Sequence, residues 1–505
     1  MKRGTTMKTW KRTSAGLMAF AMLLTACPAI TANAENETEK KFGALTYEKD
    51  SVDDLIVITD FDESVTEVVI PAEIDGLPVL GIDEYAFDNS PNLTSVTISD
   101  GIISIGSGAF ENCTGLTEIT IPGSVFGISG SAFADCTGLK TVTLEEGVQA
   151  LEDNAFSGCT CLTDITIPDS MLSVGEEVFT NTPLLDIKPG EICYVSDWII
   201  DCDEAAADFT IKDGTKGIAA YAFENCVNLT DISIPDSVTA VCMGAFYQTP
   251  LLTNQEDSLF YADNWLIGCD RTSSDFTIRE GTKGLAEGVL VFSEIENLVL
   301  PESLEHIGMM SVAGTGIESL IIPGSIKKLG LMSFSLSPLL EKVTIGDGVE
   351  TIPVMTFTGC ESLKSIHIPK SVKNIGAAAF MGCTSLTDIY YDGTQAEWNA
   401  IRCGLFLDEF TNATIHFASD AQPTCSLGDL DADGSVNAND AAILLTAAAA
   451  SGAGGDSGLS EAQIKAADLN SENTFDALDA AIILQYAAYA GAGGKDSIED
   501  FVKSL

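Results

Sequence analysis

The sequence predicts a solenoid of short parallel β-strands, mainly β with short helical turns, followed by a small all-α module. Three observations predict it. An aromatic residue recurs at a fixed step: Phe87, Phe110, Phe133, Phe156 and Phe179 are 23 residues apart, as are Phe223 and Phe246, and Phe357 and Phe380. Each turn also carries an apolar/polar alternation closed by proline, the pattern of a half-exposed strand. After residue 424 the composition changes to two acid-rich loops, 39 residues apart, each running into an alanine-rich apolar stretch.

The N-terminus reads as an export signal. Lys2, Arg3, Lys8, Lys11 and Arg12 precede an apolar run over 15–24, and Ala32-Asn33-Ala34 is a small-residue cleavage site. Residues 1–34 therefore read as a signal peptide. Leu24-Thr25-Ala26-Cys27 overlaps it and resembles a bacterial lipobox, which offers lipid anchoring at Cys27 as a second reading. No other segment reaches transmembrane length. The expected location is extracellular, either free, on the cell surface or within a larger assembly.

Charge narrows the partners. Of 505 residues, 25 are Lys or Arg and 74 are Asp or Glu, for a net charge of −49. Such a field repels nucleic acid and anionic membranes and suits cations and basic partners. The chain is 46% apolar, so it is no disordered acidic tail. Only His306, His367 and His416 are present, widely spread.

The solenoid occupies residues 35–418. In one turn, Ile119 and Ile121 alternate with Glu118 and Thr120, Pro122 ends the strand, and Ala132-Phe133 returns an apolar plug to the core. A period in the twenties means that each turn packs only on its neighbours. About 14 turns at roughly 4.8 Å each predict a rod on the order of 65–70 Å long. Phe292, Val312 and Phe334 continue the plug series with some slippage. The phrase L-x-x-I-x-I-P-x-S-V-x-x-I-G-x-x-A-F-x-x-C resembles the BspA-like (treponemal-type) leucine-rich repeat of bacterial surface proteins. That resemblance covers roughly residues 42–418 and implies an adhesion or protein-interaction scaffold. Residues 42–70 read as an N-terminal cap. Tyr390, Tyr391 and Trp398, with Thr414-Ile415-His416-Phe417, read as the C-terminal cap. Two wider turns form a duplicated pair 67 residues apart, one with Trp198, Cys202 and Gly217, the other with Trp265, Cys269 and Gly284.

Of the cysteines, Cys113, Cys136, Cys159, Cys226, Cys360 and Cys383 each follow a plug phenylalanine by three residues. Ser90, Thr182 and Thr249 take the same place elsewhere. Interchange with small hydroxyls favours a buried ladder over structural disulfides or a metal cluster.

Residues 419–424 read as a linker, 425–493 as the α module and 494–505 as a tail. The first loop places Asp429, Asp431, Asp433, Ser435, Asn437 and Asp440 at positions 1, 3, 5, 7, 9 and 12. The second places Asp468, Asn470, Glu472, Thr474, Asp476 and Asp479 there. Oxygen ligands at this spacing suit a hard cation, with position 7 contributing its backbone carbonyl. Gly434 turns the first loop freely, and Asn473 stands in its place in the second. Val436 and Phe475, both at position 8, can pair between the loops. Ser460 and Gln463 form a capping-box pattern ahead of the connecting helix, and residues 451–458 read as a flexible insertion.

This duplicated pattern resembles a type I dockerin. The resemblance implies two Ca²⁺ sites, the second weaker because of Glu472 and Asn473, and docking onto a cohesin domain of a scaffoldin, as in cellulosome assembly for polysaccharide breakdown. It assigns partner choice to positions 10 and 11, here Ala438 and Asn439 in one copy and Ala477 and Leu478 in the other.

The acidity extends beyond these loops. Residues 425–493 hold ten acids and one lysine, so most of the negative charge lies on the solenoid. Its expected outward pairs are Ser95/Thr97, Glu118/Thr120, Thr141/Thr143, Asp164/Thr166, Asp231/Ser233, Ser365/His367 and Asp388/Tyr390. With one aromatic among them, a protein ligand is favoured over a glycan. No G-x-S-x-G, H-E-x-x-H or phosphate loop is present, and the expectation is a protein that is not an enzyme. Three readings stand: a secreted scaffold-docked repeat protein, a lipid-anchored adhesin recruiting cohesin-bearing proteins, and, least favoured, a carbohydrate-active enzyme component.

Overall fold

A computed structural model describes residues 40–49, 55–206, 209–253, 258–271, 273–418, 426–430, 435–452, 457, 459, 461–470 and 474–505. The Cys27 lipobox, the 1–34 signal and Ser460 lie outside them. Two compact units are present: residues 1–390 with 396–415, and residues 391–395 with 416–505.

The first unit is a β-solenoid with two lanes of parallel strands. In one lane Glu118–Ile121, Thr141–Leu144 and Asp164–Thr166 pair in register, Glu118 beside Thr141 and Thr141 beside Asp164. Burial alternates strictly along Glu118–Ile121, with Ile119 and Ile121 inside and Glu118 and Thr120 outside. A one-residue slip would put the isoleucines in water, so the pattern sets the register. The second lane consists of two-residue strands such as Ser104–Ile105, Gly127–Ile128 and Ala150–Leu151.

Between the lanes the plug phenylalanines stack. Ring centroids are 4.9 Å apart for Phe87 and Phe110, 5.0 Å for Phe110 and Phe133, and 5.4 Å for Phe133 and Phe156. The stack is closed by Phe61 at 4.7 Å from Phe87 and by Phe410 at 4.7 Å from Phe380. Phe61 belongs to an antiparallel cap, Leu45–Lys49 against Ile56–Phe61, which covers the first turn. Beside the rings the cysteines form a second ladder. Cys113, Cys136 and Cys159 each donate from Sγ at 3.1 Å to the carbonyl of the plug phenylalanine 26 residues earlier. Burial pushes the Cys113 and Cys360 thiols up to about 12. Thr182 and Thr249 instead bond the carbonyls of Phe179 and Phe246 at 2.7 Å.

Each turn needs a left-handed residue two places before and two places after its plug. Asn154 (φ 61°) and Gly158 (φ 74°) flank Phe156. This corrects one expectation. Phe292 (φ 51°) occupies the second left-handed site and is 51% exposed, while Leu290 fills the core slot at 0%. The slippage is thereby resolved into two turns of 22 residues, Leu290 to Val312 and Val312 to Phe334. Met310, Met332 and Met355 hold the first left-handed site. Such a conformation costs a non-glycine residue about 1–2 kcal/mol. Burial to 1% exposure in a shared apolar cluster offsets that cost.

The duplicated wide turns are hairpins inserted into the stack. Ile192–Val195 pairs antiparallel with Trp198–Cys202, and Leu259–Ala262 with Trp265–Cys269, each with a bulge at the same place. The tryptophans lie flat against the next turn. A Cβ on Gly217 would sit 2.4 Å from the Trp198 ring, and one on Gly284 would sit 2.4 Å from Trp265, so only glycine fits. Lys212 covers the Tyr194 ring at 4.0 Å, and Arg279 covers Tyr261 at 3.9 Å.

Lys328 follows Asp169 by about seven turns, or about 33 Å along a straight stack. Its Nζ nevertheless donates to the Asp169 carbonyl at 2.7 Å. Ser173 Oγ likewise donates to Glu287 Oε2 at 2.7 Å across 114 residues. The solenoid is therefore bent back on itself rather than straight, and its early turns face its late ones.

The second unit is helical. Ala438–Gly452 and Ala477–Gly491 are its long helices and Glu461–Ala467 connects them. Leu430, Leu444, Leu469, Ile482 and Ile483 form its core, with Val436 and Phe475 packed against it. Residues 494–505 contribute helix Ile498–Ser504, capped by Ser497 Oγ, which accepts from the Asp500 N–H at 3.2 Å. Ile498 is 5% exposed and belongs to the core. Phe501 lies 5.1 Å from Tyr489 and 5.5 Å from Tyr486. Gly428 makes room for this helix. Its φ is 81°, and a Cβ there would meet Ile498 Cδ1 at 2.6 Å.

Candidate cation and docking site

The two acid-rich loops are built alike although their sequences differ. Position 2 of each is a core leucine, Leu430 or Leu469, which pins the loop entrance to the helices. Position 12 is a fully buried aspartate, Asp440 or Asp479, at 0% exposure. Asp440 Oδ1 accepts from the Leu430 N–H at 2.8 Å, and its Oδ2 from the Asn437 N–H at 2.8 Å. Asp479 repeats the arrangement: Oδ1 accepts from Leu469 at 2.9 Å and Asn470 at 3.3 Å, and Oδ2 from Asp476 at 3.0 Å. Each closing carboxylate thus ties position 2 to position 9 and fixes the loop's span. Burial pushes the Asp479 carboxyl up, and the three N–H groups oppose that shift.

Position 9 starts the following helix. Asp476 caps Ala477–Gly491, accepting from the Leu478 N–H at 2.6 Å, and Asp479 completes a capping box. Asn437 accepts from the Asn439 N–H at 2.8 Å in the same way. Asp429 at position 1 is only 4% exposed, while Ser435 and Thr474 at position 7 are exposed. Asp468 and Asn470 border the second loop. Asp431, Asp433 and Glu472 lie outside the described residues. Among the described residues no three His, Cys, Asp or Glu side chains converge as a metal-binding set.

The donor set fits a hard cation. Three acid side chains, Asp429, Asp440 and Asp479, are buried in a small helical unit, and buried carboxylates are costly unless compensated. Carboxylate, amide and hydroxyl oxygens are the ligands such a cation takes.

Positions 10 and 11 lie on the outside. Ala438, Asn439, Ala477 and Leu478 are exposed, Leu478 to 57%. Sequence reasoning missed a further pair, Leu445 and Leu484, exposed to 43% and 46%. They are 39 residues apart, so the internal duplication would have found them. On the solenoid Ser95/Thr97, Glu118/Thr120 and Asp164/Thr166 are exposed, Thr141, Asp388 and the Ser365/His367 pair are half-buried, and Tyr390 is 45% exposed. Asp231 and Ser233 are exposed but lie in no strand. Three outward apolar residues went unpredicted: Val69, Val299 and Ile321, exposed to 63%, 56% and 69%.

A parallel-strand solenoid with one plug per turn, and a two-loop helical unit with an aspartate closing each loop, together define a repeat protein with a docking module. The family model of the BspA type leucine rich repeat region matches residues 81–197, 201–258 and 283–400. These spans make up more than half of the chain, and the chain belongs to that family. Residues 427–486 match the dockerin type I domain, so the C-terminal module is a dockerin. Dockerin domains of this type bind calcium and pair with cohesin domains. Solved structures similar to the chain include a leucine rich cell surface protein from Faecalibacterium prausnitzii A2-165, with 24% identity, 73% of this chain and 99% of that one covered, and a TM-score of 0.27. A leucine-rich repeat protein from Bacteroides capillosus ATCC 29799 is 30% identical over 30% of this chain and 96% of its own, with a TM-score of 0.21. The pneumococcal vaccine antigen PcpA is 16% identical over 75% of this chain and 98% of its own, with a TM-score of 0.27. No curated protein matches the chain. No helix among the described residues is long and apolar enough to cross a membrane.

Proposed function

We propose that this is a secreted, non-catalytic repeat protein that docks onto a cohesin of a scaffoldin through two calcium-filled loops, in a polysaccharide-degrading assembly of the cellulosome type. The solenoid is its interaction or adhesion surface. The observation that carries this reading is the matched bracing of Asp440 and Asp479. Calcium held by Asp429, Asp431, Asp433, Ser435, Asn437 and Asp440 orders the first loop and presents Ala438 and Asn439. The second set, Asp468, Asn470, Glu472, Thr474, Asp476 and Asp479, does so for Ala477 and Leu478. Glu472 and Asn473 make the second site the weaker one. The two copies differ at position 11, Asn439 against Leu478, so one orientation on the cohesin is preferred.

The test is capture of the full chain on a panel of immobilised cohesins. Binding is expected in calcium, lost with EDTA, and lost in the Asp429→Ala/Asp468→Ala double variant. Capture that persists in chelator would overturn the mechanism. A second reading rests on Leu24-Thr25-Ala26-Cys27, a lipid-anchored adhesin that recruits cohesin-bearing proteins. Mass spectrometry of the mature N-terminus separates the two, because a chain beginning at Glu35 has lost Cys27.

A further inference from the structure

The bend creates a cleft that no functional reading has used. It lies within the solenoid, between the turns spanning 103–172 and those spanning 324–405, and has a volume of about 1040 Å³. That is at the upper end for ligand pockets. One wall is a rung series at the 23-residue step: Ile103, Phe126, Gln149 and Leu172. The facing wall carries Val354, Asn374, Arg402 and Leu405. At the cleft Lys328 Nζ reaches the Asp169 carbonyl, and Phe126 and Leu172 pack toward the Met310, Met332 and Met355 cluster.

Charge distinguishes the two walls. Residues 81–175 carry thirteen acids and one lysine, whereas 327–402 carry seven acids and seven bases. The cleft lining itself holds Lys327, Lys328 and Arg402 against one acid, Glu350. In a chain of net charge −49, the lining alone counts two more bases than acids. Lys328 donates to the Asp169 carbonyl, and Lys327 pairs with Glu305 at 2.6 Å. Arg402 is exposed and, among the described residues, has no ion-pair partner.

We propose that this cleft is the solenoid's ligand site and that it takes an extended peptide segment alternating apolar and acidic residues, supplied by a partner protein. This deepens the interaction role proposed above and rests on it. An extended chain sends alternate side chains to opposite faces. One set lies on Phe126, Leu172 and Val354. The other turns its carboxylates toward Arg402, where planar bidentate pairing is available. The carboxamides of Gln149 and Asn374, one from each wall, each offer a donor and an acceptor to the peptide main chain. A basic or purely polar segment forfeits one half of these contacts.

The test uses the full chain and fluorescein-labelled, end-blocked octapeptides read by fluorescence anisotropy. An alternating Leu-Glu peptide is expected to bind at least tenfold more tightly than an alternating Leu-Lys or Ser-Glu peptide. Arg402→Glu, at an exposed position, is expected to weaken Leu-Glu binding at least tenfold without moving the melting temperature. Phe126→Ala is expected to weaken it similarly. Should that variant fail to fold, Leu405→Ser at the half-exposed rim takes its place. Equal affinity for the Leu-Glu and Leu-Lys peptides, unchanged binding in Arg402→Glu, or no Leu-Glu binding at millimolar peptide overturns the proposal. Cohesin capture by the Arg402→Glu chain is expected to be intact, so failure of this site and failure of the docking reading are told apart.

Discussion

At the residue scale, a buried acid sits at the bend. Glu287 is 7% exposed and accepts from the Ser173 hydroxyl. The Met243 backbone N–H and the Cys242 thiol also contact it, and Asp153 faces it. Burial pushes Glu287 up from 4.5 to about 7. Glu152, from an early turn, is likewise raised to about 7 by burial, with Asp153 and Glu287 adding to the shift and the Gly130 N–H opposing it. Both acids hold a proton more tightly folded than unfolded. Their stabilisation is therefore full below pH 4.5 and is lost as pH rises through about 7. The shift corresponds to at most ~3 kcal/mol per group. Thermal melts of wild type are expected to fall from pH 5 to pH 8, and Glu287→Gln is expected to remove about half of that slope. An identical slope in the variant would show that the acid is silent. Nothing in the sequence marked Glu287, because its burial comes from a turn 114 residues away.

At the scale of elements, regular turns were legible and departures from them were not. Proline ends, alternation and plugs are local, so period alone located strands such as Ser95–Ile98, Glu118–Ile121, Ser365–Ile368 and Asp388–Tyr391, but it also placed one at Asp231/Ser233, where none forms. Phe292 misled because composition favours a phenylalanine plug, whereas Leu290 sits correctly between two left-handed residues. The two acid-rich loops could be located from spacing. The capping role of Asp479 could not, but the helix Ile498–Ser504 could have been: Ile498, Phe501, Val502 and Leu505 follow the i, i+3, i+4, i+7 spacing behind a Ser497 cap, and reading 494–505 as a tail missed it. Ile498 is in the docking module's core. Its replacement by alanine is expected to cost about 2–4 kcal/mol. Calcium-loaded thermal melts would register this, while an exposed change such as Glu499→Ala is expected to be nearly neutral.

At the scale of the whole molecule, the sequence showed the array and the appended module but not the fold-back. The fold-back is held by contacts between turns 114 and 159 residues apart, which no local pattern signals. The ring stack is broken at both hairpins, and after the second one Leu290 and Val312 hold the plug slots before rings resume. Rings run unbroken from Phe61 to Phe179, pair again at Phe223 and Phe246, and resume from Phe334 to Phe410. In an array with nearest-neighbour coupling, cooperativity follows such continuity. Hydrogen exchange of the native chain is expected to show three blocks opening separately, with boundaries at Trp198–Cys202 and Trp265–Cys269. One uniform protection level across those boundaries would contradict this.

A docked protein of this kind is loaded mechanically whenever its two ends are held by different bodies. Pulled apart, the fold-back contacts at Asp169 and Ser173 would give way before any turn unravels. The chain would then lengthen like a hinge opening, and it would recoil once the tension is released.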